Sequence, residues 1–500
     1  MLEGLEVTII NKSDVLAGAE TLRFDSEYYL KKYIHAELLI KKNAPNFLKF
    51  SELNLIVDGS AFYPALEPYY DTGSYPFIRV GDVKKYVDFE NCVKVPFDIL
   101  HNYPTLKHVT KGDIVLTKGG TIGLAGLITQ NCCVTRDLIF INSSVLDEND
   151  YVVLFLFLST DFAYRQLIRS GSQSVQPHLT ITLVRNIDVY CYTDFFKEYV
   201  VRIYKTSISK LELSKSCYAR AETLLLATLG IADFSPSTEA VNIKSFKDSF
   251  AATGRLDAES YQPKYDQLRD VLVSYSGGVT TIGSLAGQIA NGAEVREYQD
   301  EGVAYLRVGD VKNLTIDPSS VVRIDPASAE KGLDKIDLQA GDVLVSRSGS
   351  LAITAVVEPE WADALISSHL IRLRITDKRI DPYYLALFLG ALPGKMQIQQ
   401  RSNGGVQPEI NQPALKSILV PIPPQSAQQE IRRLILAARN LRDSSNELLE
   451  AAKRAVEIAI ELDEAAALAY INTHASNHLN QLPSPPPFRR KSDVASGGGR

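Results

Sequence analysis

The sequence has few cysteines and no long hydrophobic run, and each absence excludes a class of protein. Its five cysteines form no C-x-x-C pair and have no histidine-rich partner cluster, so we expect reduced, buried thiols of a cytoplasmic protein and no metal site. The longest apolar stretch, YVVLFLFL at 151–158, is too short to cross a bilayer, and the start MLEGLEVTII does not have the pattern of a signal sequence. We therefore expect a soluble, cytoplasmic chain with no membrane partner.

The sequence also lacks a basic charge excess and complete catalytic motifs. A net charge of −6 gives no general attraction to nucleic acid, so any DNA contact must come from local basic surfaces or from a basic partner. The stretch LGALPGKM at 389–396 is one residue too short between its glycines for a phosphate-binding loop, and Met396 stands where Ser or Thr would hold magnesium. GGTIG lacks G-x-G-x-x-G spacing, and PPPF at 485–488 lacks the Asp or Asn of DNA amino-methyltransferases. We expect a binding protein with no catalytic residue.

What the sequence does contain is an internal duplication. The peptide RVGDVK occurs at 79–84 and again at 307–312, and GDIVLTKGG from Gly112 is matched by GDVLVSRSG from Gly341. The pairs RFDSEYYLKKY with RLDAESYQPKY, and SVQPHL with GGVQPEI, keep the same order at an offset of about 230 residues. With 500 residues, 45% of them hydrophobic, the chain can form two large cores. Two copies of one folded unit are predicted.

Each copy predicts an α+β domain followed by a long helix. Short β-rich runs such as FIRVGDV, GDIVLT and LIFINS, separated by Gly and Asp turns, precede a compact helical segment. The segments 194–229 and 426–470 contain almost no Gly or Pro, and apolar residues recur in them at steps of three and four, which is typical of a coiled-coil seam. The predicted spacer and partner-docking residues are Val201, Tyr204, Ile208, Leu211 and Tyr218 in the first helix and Ile431, Leu434, Ala438, Leu441, Leu448, Ala452, Ala455, Ala459 and Leu462 in the second.

These patterns divide the chain into six predicted segments. The end of the sequence is rich in Pro, Ser and Gly and predicts disorder. The segments are a first globular domain at 1–192, a first spacer helix at 193–230, a linker at 231–254, a second globular domain at 255–423, a second spacer helix at 424–470 and a disordered tail at 471–500.

The duplicated motifs resemble the specificity subunit of type I restriction-modification systems. The resemblance is carried by the paired RVGDV stretches, by GDIVLTKGGTIG and GDVLVSRSGSLA, and by VPIPPQSAQQEIRRLI at 420–435. It implies two homologous, mixed α/β target recognition domains, each reading one half of a bipartite site in double-stranded DNA. It also implies that the two long helices form an antiparallel coiled-coil spacer that docks two modification (methyltransferase) subunits. S-adenosylmethionine would be bound by those subunits and no cofactor by this chain, and a restriction (motor nuclease) subunit is left open. The first half departs from the pattern, because IDVYCYTDFFKEY stands where the second half has its Pro-Pro element.

Residues in the repeated loops are the candidates for DNA contact. Lys118 and Arg347 occupy the same place, at a strand end beside glycines, where amides, hydroxyls and a cation can surround a phosphate; a structural β-turn explains the same pattern. Arg79 and Arg307 could face phosphate or pair with the aspartates that follow them. Gln, Asn, Arg and His side chains in the later loops suit base edges, and loop capping explains them equally well. The predicted DNA-binding residues are Arg79, Lys84, Thr117, Lys118, Gly120, Thr121, Gln173, Gln176 and His178 in the first copy and Arg307, Lys312, Ser346, Arg347, Ser348, Ser350, Arg401, Asn403 and Gln407 in the second.

Two functions of other classes stay open from the sequence. One is a duplicated scaffold in another phage-defence complex, which would bind proteins or RNA and no specific DNA. The other is an enzyme, which the missing motifs disfavour. A spacer role is testable by length, because four inserted residues would extend a helix by about 6 Å, equal to one or two base pairs of DNA.

Overall fold

The chain forms two compact units. In the computed structural model, residues 26–43, 47–61, 63–84, 86–171, 178–312, 314–333, 338–404 and 407–475 are described. Unit 1 consists of the described residues up to Ser209 together with those from Ser444 onward, and unit 2 consists of Lys210–Asp443. Unit 1 is therefore assembled from two separate parts of the sequence.

Unit 1 contains two four-stranded sheets and a two-stranded ribbon. The first sheet has the order β2-β9-β6-β7 and is antiparallel throughout, whereas the second has the order β4-β3-β8-β5 with β3 and β8 parallel. β1 pairs with β10. The strands are β1 Phe47–Lys49, β2 Val57–Gly59, β3 Tyr75–Ile78, β4 Val93–Val95, β5 His108–Val109, β6 Ile114–Thr117, β7 Ala125–Leu127, β8 Cys132–Val134, β9 Leu138–Ile141 and β10 Asp188–Tyr190.

Helices of unit 1 share a core with the first of these sheets, whereas the short helix Ile99–Asn102 packs against the second. The N-cap of α3 is Asp147, whose carboxylate accepts a hydrogen bond from the backbone N–H of Asp150. The seven apolar residues Val152–Leu158 of this helix are all buried. This explains why the longest apolar stretch of the sequence is a core helix. The helices that begin in the first part of unit 1 are α1 Lys31–Asn43, α2 Ile99–Asn102, α3 Glu148–Leu158, α4 Asp161–Gly171, α5 Ile181–Arg185 and α6 Asp194–Thr228.

Unit 2 repeats this arrangement of strands. Its four-stranded antiparallel sheet has the order β12-β20-β17-β18, its mixed sheet the order β16-β13-β19 with β13 and β19 parallel, and β11 pairs with β21. A small hairpin of β14 and β15 is added. The strands are β11 Val279–Thr281, β12 Ala286–Asn291, β13 Val303–Leu306, β14 Val311–Lys312, β15 Thr315–Ile316, β16 Val322–Ile324, β17 Val343–Ser346, β18 Thr354–Val356, β19 Leu365–Ile366, β20 Leu370–Ile375 and β21 Leu419–Pro421.

The remaining helices follow the same plan. The core helix of unit 2 is again capped by an aspartate, because the Asp381 carboxylate accepts from the N–H of Tyr383, and Pro382 occupies the first turn. These helices are α7 Phe250–Thr253, α8 Pro263–Val273, α9 Ile282–Leu285, α10 Pro326–Leu333, α11 Pro382–Gly390, α12 Leu392–Arg401, α13 Gln412–Lys416, α14 Gln425–Glu461 and α15 Glu464–His474.

The duplication extends to single side chains. In unit 1 the Gln166 amide donates to the carbonyl of Asp188 (3.0 Å) and accepts from its N–H (2.8 Å). In unit 2 the Gln397 amide makes the same two bonds to Leu419, at 2.9 Å each. The helices α4 and α12 are thus tied in the same way to the last strands of their units, β10 and β21. The predicted α+β fold with two homologous domains is confirmed.

The two long helices pack against each other in opposite directions within each unit. In unit 1, Val201 near the start of α6 shares a core with Ala455 near the end of α14. In unit 2, Leu225 near the end of α6 shares a core with Ile431 near the start of α14. The prediction of an antiparallel helical pair is confirmed. Alanines along α14 have no bulk beyond Cβ, so the helices can approach closely.

The predicted seam residues differ in burial. Nine of the predicted seam residues are buried: Val201, Tyr204, Ile431, Leu434, Ala438, Leu448, Ala452, Ala455 and Ala459. Ile208, Leu211, Tyr218 and Leu441 are half-buried. The buried side chains are not available to dock a partner. Leu462 was wrongly placed in the seam: it is 64% exposed, because α14 ends at Glu461.

Several segment boundaries differ from those predicted. The helix expected over 424–470 is two helices, since Asp463 caps α15 by accepting from the N–H of Ala466. α15 continues to His474, inside the segment expected to be a disordered tail, and residues 476–500 lie outside the described part of the chain. The predicted linker 231–254 begins with Ile231 in the core of unit 2 and contains α7.

All five cysteines are free thiols; four are buried and Cys191 is half-buried. None of the described helices is by itself long and apolar enough to cross a membrane. One bent pair of helices, Glu148–Leu158 with Asp161–Arg169, has the length and composition to do so together.

Candidate nucleic-acid interface

The repeated RVGDV peptide forms the same tight turn in both units. It follows β3 in unit 1 and β13 in unit 2, where Val80–Asp82 and Val308–Asp310 form short 3-10 turns. The N–H of Arg79 donates to the Asp82 carboxylate at 2.8 Å, and the N–H of Arg307 donates to the Asp310 carboxylate at 2.7 Å. Both aspartates are buried. The aspartate of the motif is therefore required by the fold.

The arginines of this turn have partners inside their own units. Arg79 Nε lies 3.6 Å from the Asp82 carboxylate, and Arg307 Nε lies 3.4 Å from that of Asp310. Each guanidinium stands over a tyrosine ring, and Arg307 Nη2 also donates to the carbonyl of Ser320 (2.6 Å). Burial lowers the pKa of Arg307, but the hydrogen bond and charge of Asp310 outweigh it, so the net shift is upward. These contacts favour the ion-pair interpretation over a phosphate contact.

The lysines that end the motif are also paired. Lys84 Nζ lies 3.1 Å from the Asp88 carboxylate, and Lys312 Nζ lies 2.6 Å from the Asp317 carboxylate. Both pairs are partly exposed, so they are weak and could be exchanged for another anion. Their role as DNA contacts stays a prediction.

The second repeated turn, KGGT in unit 1 and RSGS in unit 2, connects two strands of the four-stranded sheet. The residue before it is fully buried in both copies: Thr117 Oγ1 accepts from the N–H of Leu124, and Ser346 Oγ accepts from the N–H of Ile353, at 2.9 Å each. We correct the prediction that these two hydroxyls face DNA. They close the turn from within.

The glycines of this turn adopt left-handed backbone conformations. Gly120 has φ of +73° and Gly349 has φ of +77°, a region that glycine enters without steric cost. The β-turn interpretation thus accounts for both glycines. It does not account for Lys118 and Arg347, whose half-buried side chains extend from the start of the turn.

Backbone hydrogen bonds join this turn to two distant segments. In unit 1 the N–H of Lys118 donates to the carbonyl of Asp137 (2.8 Å), and the N–H of Leu179 donates to the carbonyl of Lys118 (3.1 Å). In unit 2 Arg347 makes the equivalent pair of bonds, to the carbonyl of His369 (2.7 Å) and from the N–H of Ile410 (2.9 Å). The cation is therefore held at a junction of three segments in each unit.

Exposed polar side chains surround the junction of unit 1. A Cβ placed on Gly119 would lie 3.5 Å from His178 Nδ1 and 3.9 Å from an Asp137 carboxylate oxygen. Gly119 thus lies between these two side chains, both of which are exposed, as is Thr121. His178 therefore lies beside the Lys118 turn, and its contact with DNA stays a prediction.

The junction of unit 2 has the same geometry with different chemistry. Ser348 Oγ lies 2.5 Å from His369 Nδ1, and the Arg347 guanidinium pairs with the Glu409 carboxylate. Backbone bonds of 2.8 Å in both directions between Asn403 and Glu409 hold the third segment in place. Ser348 occupies the position of Gly119, next to the His369 side chain.

The other predicted contacts have mixed positions. Ser350, Asn403 and Gln407 are exposed. Arg401 bonds to Ser417 Oγ (2.9 Å) and to the carbonyl of Gln397 (3.1 Å), and burial lowers its pKa. It is a structural side chain, and the prediction that it reads bases is not supported. Gln173 and Gln176 lie outside the described residues.

Sequence reasoning missed Asp137, His369 and Glu409. Asp137 directly precedes β9, and His369 directly precedes β20. Glu409 follows the Gln-Pro pair of the second copy, as His178 follows the Gln-Pro pair of the first. The aligned repeats therefore contained the signal. Among the described residues there is no group of three or more His, Cys, Asp or Glu that could hold a metal ion.

Comparison with known proteins identifies the family. The family model for the type I restriction modification DNA specificity domain matches twice, at residues 51–190 and 277–453, one match starting in each copy of the duplication. These matches cover more than half of the chain. The chain belongs to the family of type I restriction modification DNA specificity domains, as the sequence motifs predicted.

Individual relatives are distant. A type I restriction enzyme MjaX specificity subunit of Methanocaldococcus jannaschii is 27% identical over 172 residues, which is 33% of this chain and 40% of that protein. The match thus spans less than half of the relative's length. The type I restriction-modification S subunit from M. genitalium is 13% identical with a TM-score of 0.39, covering 84% of this chain and 96% of that one. The HsdS subunit from Thermoanaerobacter tengcongensis is 14% identical with a TM-score of 0.24, covering 84% and 96%. The family assignment rests on the family-model matches.

Proposed function

We propose that this chain is the DNA sequence-specificity subunit of a type I restriction-modification complex. The observation that carries the proposal is that both family-model matches fall on copies of one fold, and that each copy presents a cation at an equivalent turn. Two readers on one chain suit a bipartite site, because each can contact its own half. The family match favours this function over the scaffold alternative.

The contribution of each turn is electrostatic and positional. Lys118 and Arg347 would contact phosphate, which fixes the register of a unit on the duplex without reading its sequence. The exposed side chains of His178, Thr121, Ser350, Asn403 and Gln407, together with the half-buried Ser348, would then be the candidates for contact with base edges in a groove. With an overall charge of −6, such local cations supply attraction that the whole chain does not.

The reaction itself belongs to partner chains in this proposal. Two modification subunits would bring S-adenosylmethionine and methylate the target base, and this chain would carry no catalytic residue. The complex would assemble in the cytoplasm, and whether a restriction subunit joins it is left open. Co-purification of the chain with the products of its neighbouring genes, followed by methylome sequencing, tests these partners. A co-purified methyltransferase and a bipartite methylated motif are expected, and the absence of both would overturn the proposal.

Salt dependence of DNA binding tests the two turns directly. Lys118→Met and Arg347→Met should each reduce the slope of log affinity against log salt by about one, because one phosphate contact is lost. Arg79→Met and Arg307→Met are matched controls, since their partners Asp82 and Asp310 are only 10% and 1% exposed, whereas the Glu409 partner of Arg347 is 45% exposed. These two controls should leave the slope unchanged. If the controls change the slope and the turn variants do not, the wrong turn has been assigned to DNA.

A further inference from the structure

The two junctions contain the same kinds of side chain in a different order. Equivalent backbone bonds define three matched positions: Lys118 with Arg347, Asp137 with His369, and the residues before Leu179 and Ile410. The last position holds His178 in unit 1 and Glu409 in unit 2. The cation is kept, while the carboxylate and the imidazole exchange places.

The exchange occurs without a change in the backbone around it. In unit 1 the N–H of Lys118 donates to the carbonyl of Asp137, and the carbonyl of Lys118 accepts from the N–H of Leu179. In unit 2 Arg347 makes the same two bonds, to His369 and from Ile410. Gly119, which follows Lys118, lies close to both Asp137 and His178. Ser348, which follows Arg347, contacts the His369 side chain and forms a β-bridge with Glu409. The same backbone hydrogen bonds therefore hold a carboxylate and an imidazole in one order in unit 1 and in the reverse order in unit 2.

A carboxylate and an imidazole read opposite features of a base pair. An ionised carboxylate only accepts hydrogen bonds, so it suits the amino groups of cytosine or adenine; an imidazole N–H can donate to the N7 or O6 acceptors of guanine. A cation at the neighbouring position contacts phosphate, which is the same at every base pair. Exchanging the carboxylate and the imidazole therefore changes the base preference while the docking contact is kept.

We propose that Asp137 with His178 in unit 1, and His369 with Glu409 in unit 2, are specificity-determining pairs that make the two units read different half-sites. This inference rests on the proposed function of the chain. The contacts seen in unit 2 do not oppose it. The Arg347–Glu409 ion pair has 30% and 45% of its side chains exposed, and such exposed pairs are weak enough to be replaced by contacts to DNA.

An exchange variant tests the proposal. Asp137→His combined with His178→Glu gives unit 1 the order found in unit 2, with both changes at exposed positions. The full chain, assembled with its partner subunits, is used to select binding sites from a random duplex library. The base preference of one half-site should change at one or more positions, while the other half-site stays as in the wild type. The reciprocal variant, His369→Asp with Glu409→His, should change only the other half-site.

Single substitutions and a wild-type selection separate the possible failures. Asp137→Asn keeps the size of the side chain and should weaken discrimination at one base position about tenfold. Asp98→Asn, the same change at an exposed position of unit 1 outside the junction, is the matched control, and it should keep both half-sites. If the exchange variants bind DNA as tightly as the wild type with both half-sites unchanged, the inference is overturned. If the wild type itself enriches no bipartite site, the proposed function is what fails.

Discussion

Replacing Asp310 by alanine would measure how much the repeated RVGDV turn contributes to the stability of unit 2. The Asp310 side chain is 1% exposed, accepts the N–H of Arg307 at 2.7 Å and lies 3.4 Å from its Nε. Deleting a charged acceptor and leaving a partly buried N–H without a partner costs about 2–3 kcal/mol. The ion pair adds at most about 1 kcal/mol, because 36% of the Arg307 side chain is exposed. We expect unit 2 to lose about 2–4 kcal/mol.

The single tryptophan of the chain makes this loss measurable in one unit. Trp361 packs against the core cluster that contains Leu306, next to the turn. A protein of two units need not unfold in one step, so a probe inside unit 2 is needed. In urea, with a dependence of about 2–3 kcal/mol per molar, the midpoint of the Trp361 fluorescence transition should fall by about 1 M.

Two further aspartate variants show whether the reasoning holds. Asp300→Ala removes an exposed aspartate of the same unit and should change stability by no more than about 0.5 kcal/mol. Asp82→Ala removes the equivalent carboxylate of unit 1 and should move the Trp361 transition less than Asp310→Ala does. A shift below about 0.5 kcal/mol for Asp310→Ala would refute the assignment of the motif to turn formation.

Three other predictions follow from burial and backbone geometry. Gly349→Ala should lower the free energy of unfolding, measured by Trp361 fluorescence, by about 1 kcal/mol, because φ at this position is +77°. In the control Gly309→Ala the added Cβ also meets no atom within 4 Å and φ is not positive, so stability should not change. Equal losses in the two variants would contradict the strain argument. Leu448→Ala should cost about 2–5 kcal/mol by far-UV circular dichroism, since Leu448 is fully buried in the core of unit 1; a loss below about 1 kcal/mol would contradict its place in that core. Burial raises the pKa of Cys133 to about 12, so iodoacetamide at pH 8 should not label this thiol until urea is added. Peptide mass spectrometry measures the labelling. If Cys133 were labelled as fast in the folded chain as in the unfolded chain, its thiolate would be accessible and the prediction would be wrong.

The repeated turns could be located from the sequence, but the roles of their residues could not. Strand alternation does not predict that Thr117 is buried, because all four residues of β6 are buried. The positions of Asp137 and Glu409 depend on hydrogen bonds across 19 and 62 residues, from 118 to 137 and from 347 to 409. No local pattern predicts such pairing, and only the alignment of the two copies indicated it.

Periodicity predicts the helical pair but does not predict that α14 ends at Glu461. Helix-forming alanines and a leucine resume directly after Asp463-Glu464, so composition alone predicts one continuous helix. The break depends on Asp463, whose carboxylate caps the next helix. An aspartate among helix-forming residues is a weak signal, because the same residue is tolerated on an exposed helix face.

The division of unit 1 between the two ends of the sequence determines the order in which the units are completed during translation. The core of unit 1 includes Leu448, Ala455 and Ile471, all of which emerge from the ribosome after the last residue of unit 2. Domains usually fold from the N-terminus as they are synthesised. In this nascent chain the second unit has its full set of residues first, and the first unit must wait with an open apolar face until the C-terminal helices arrive.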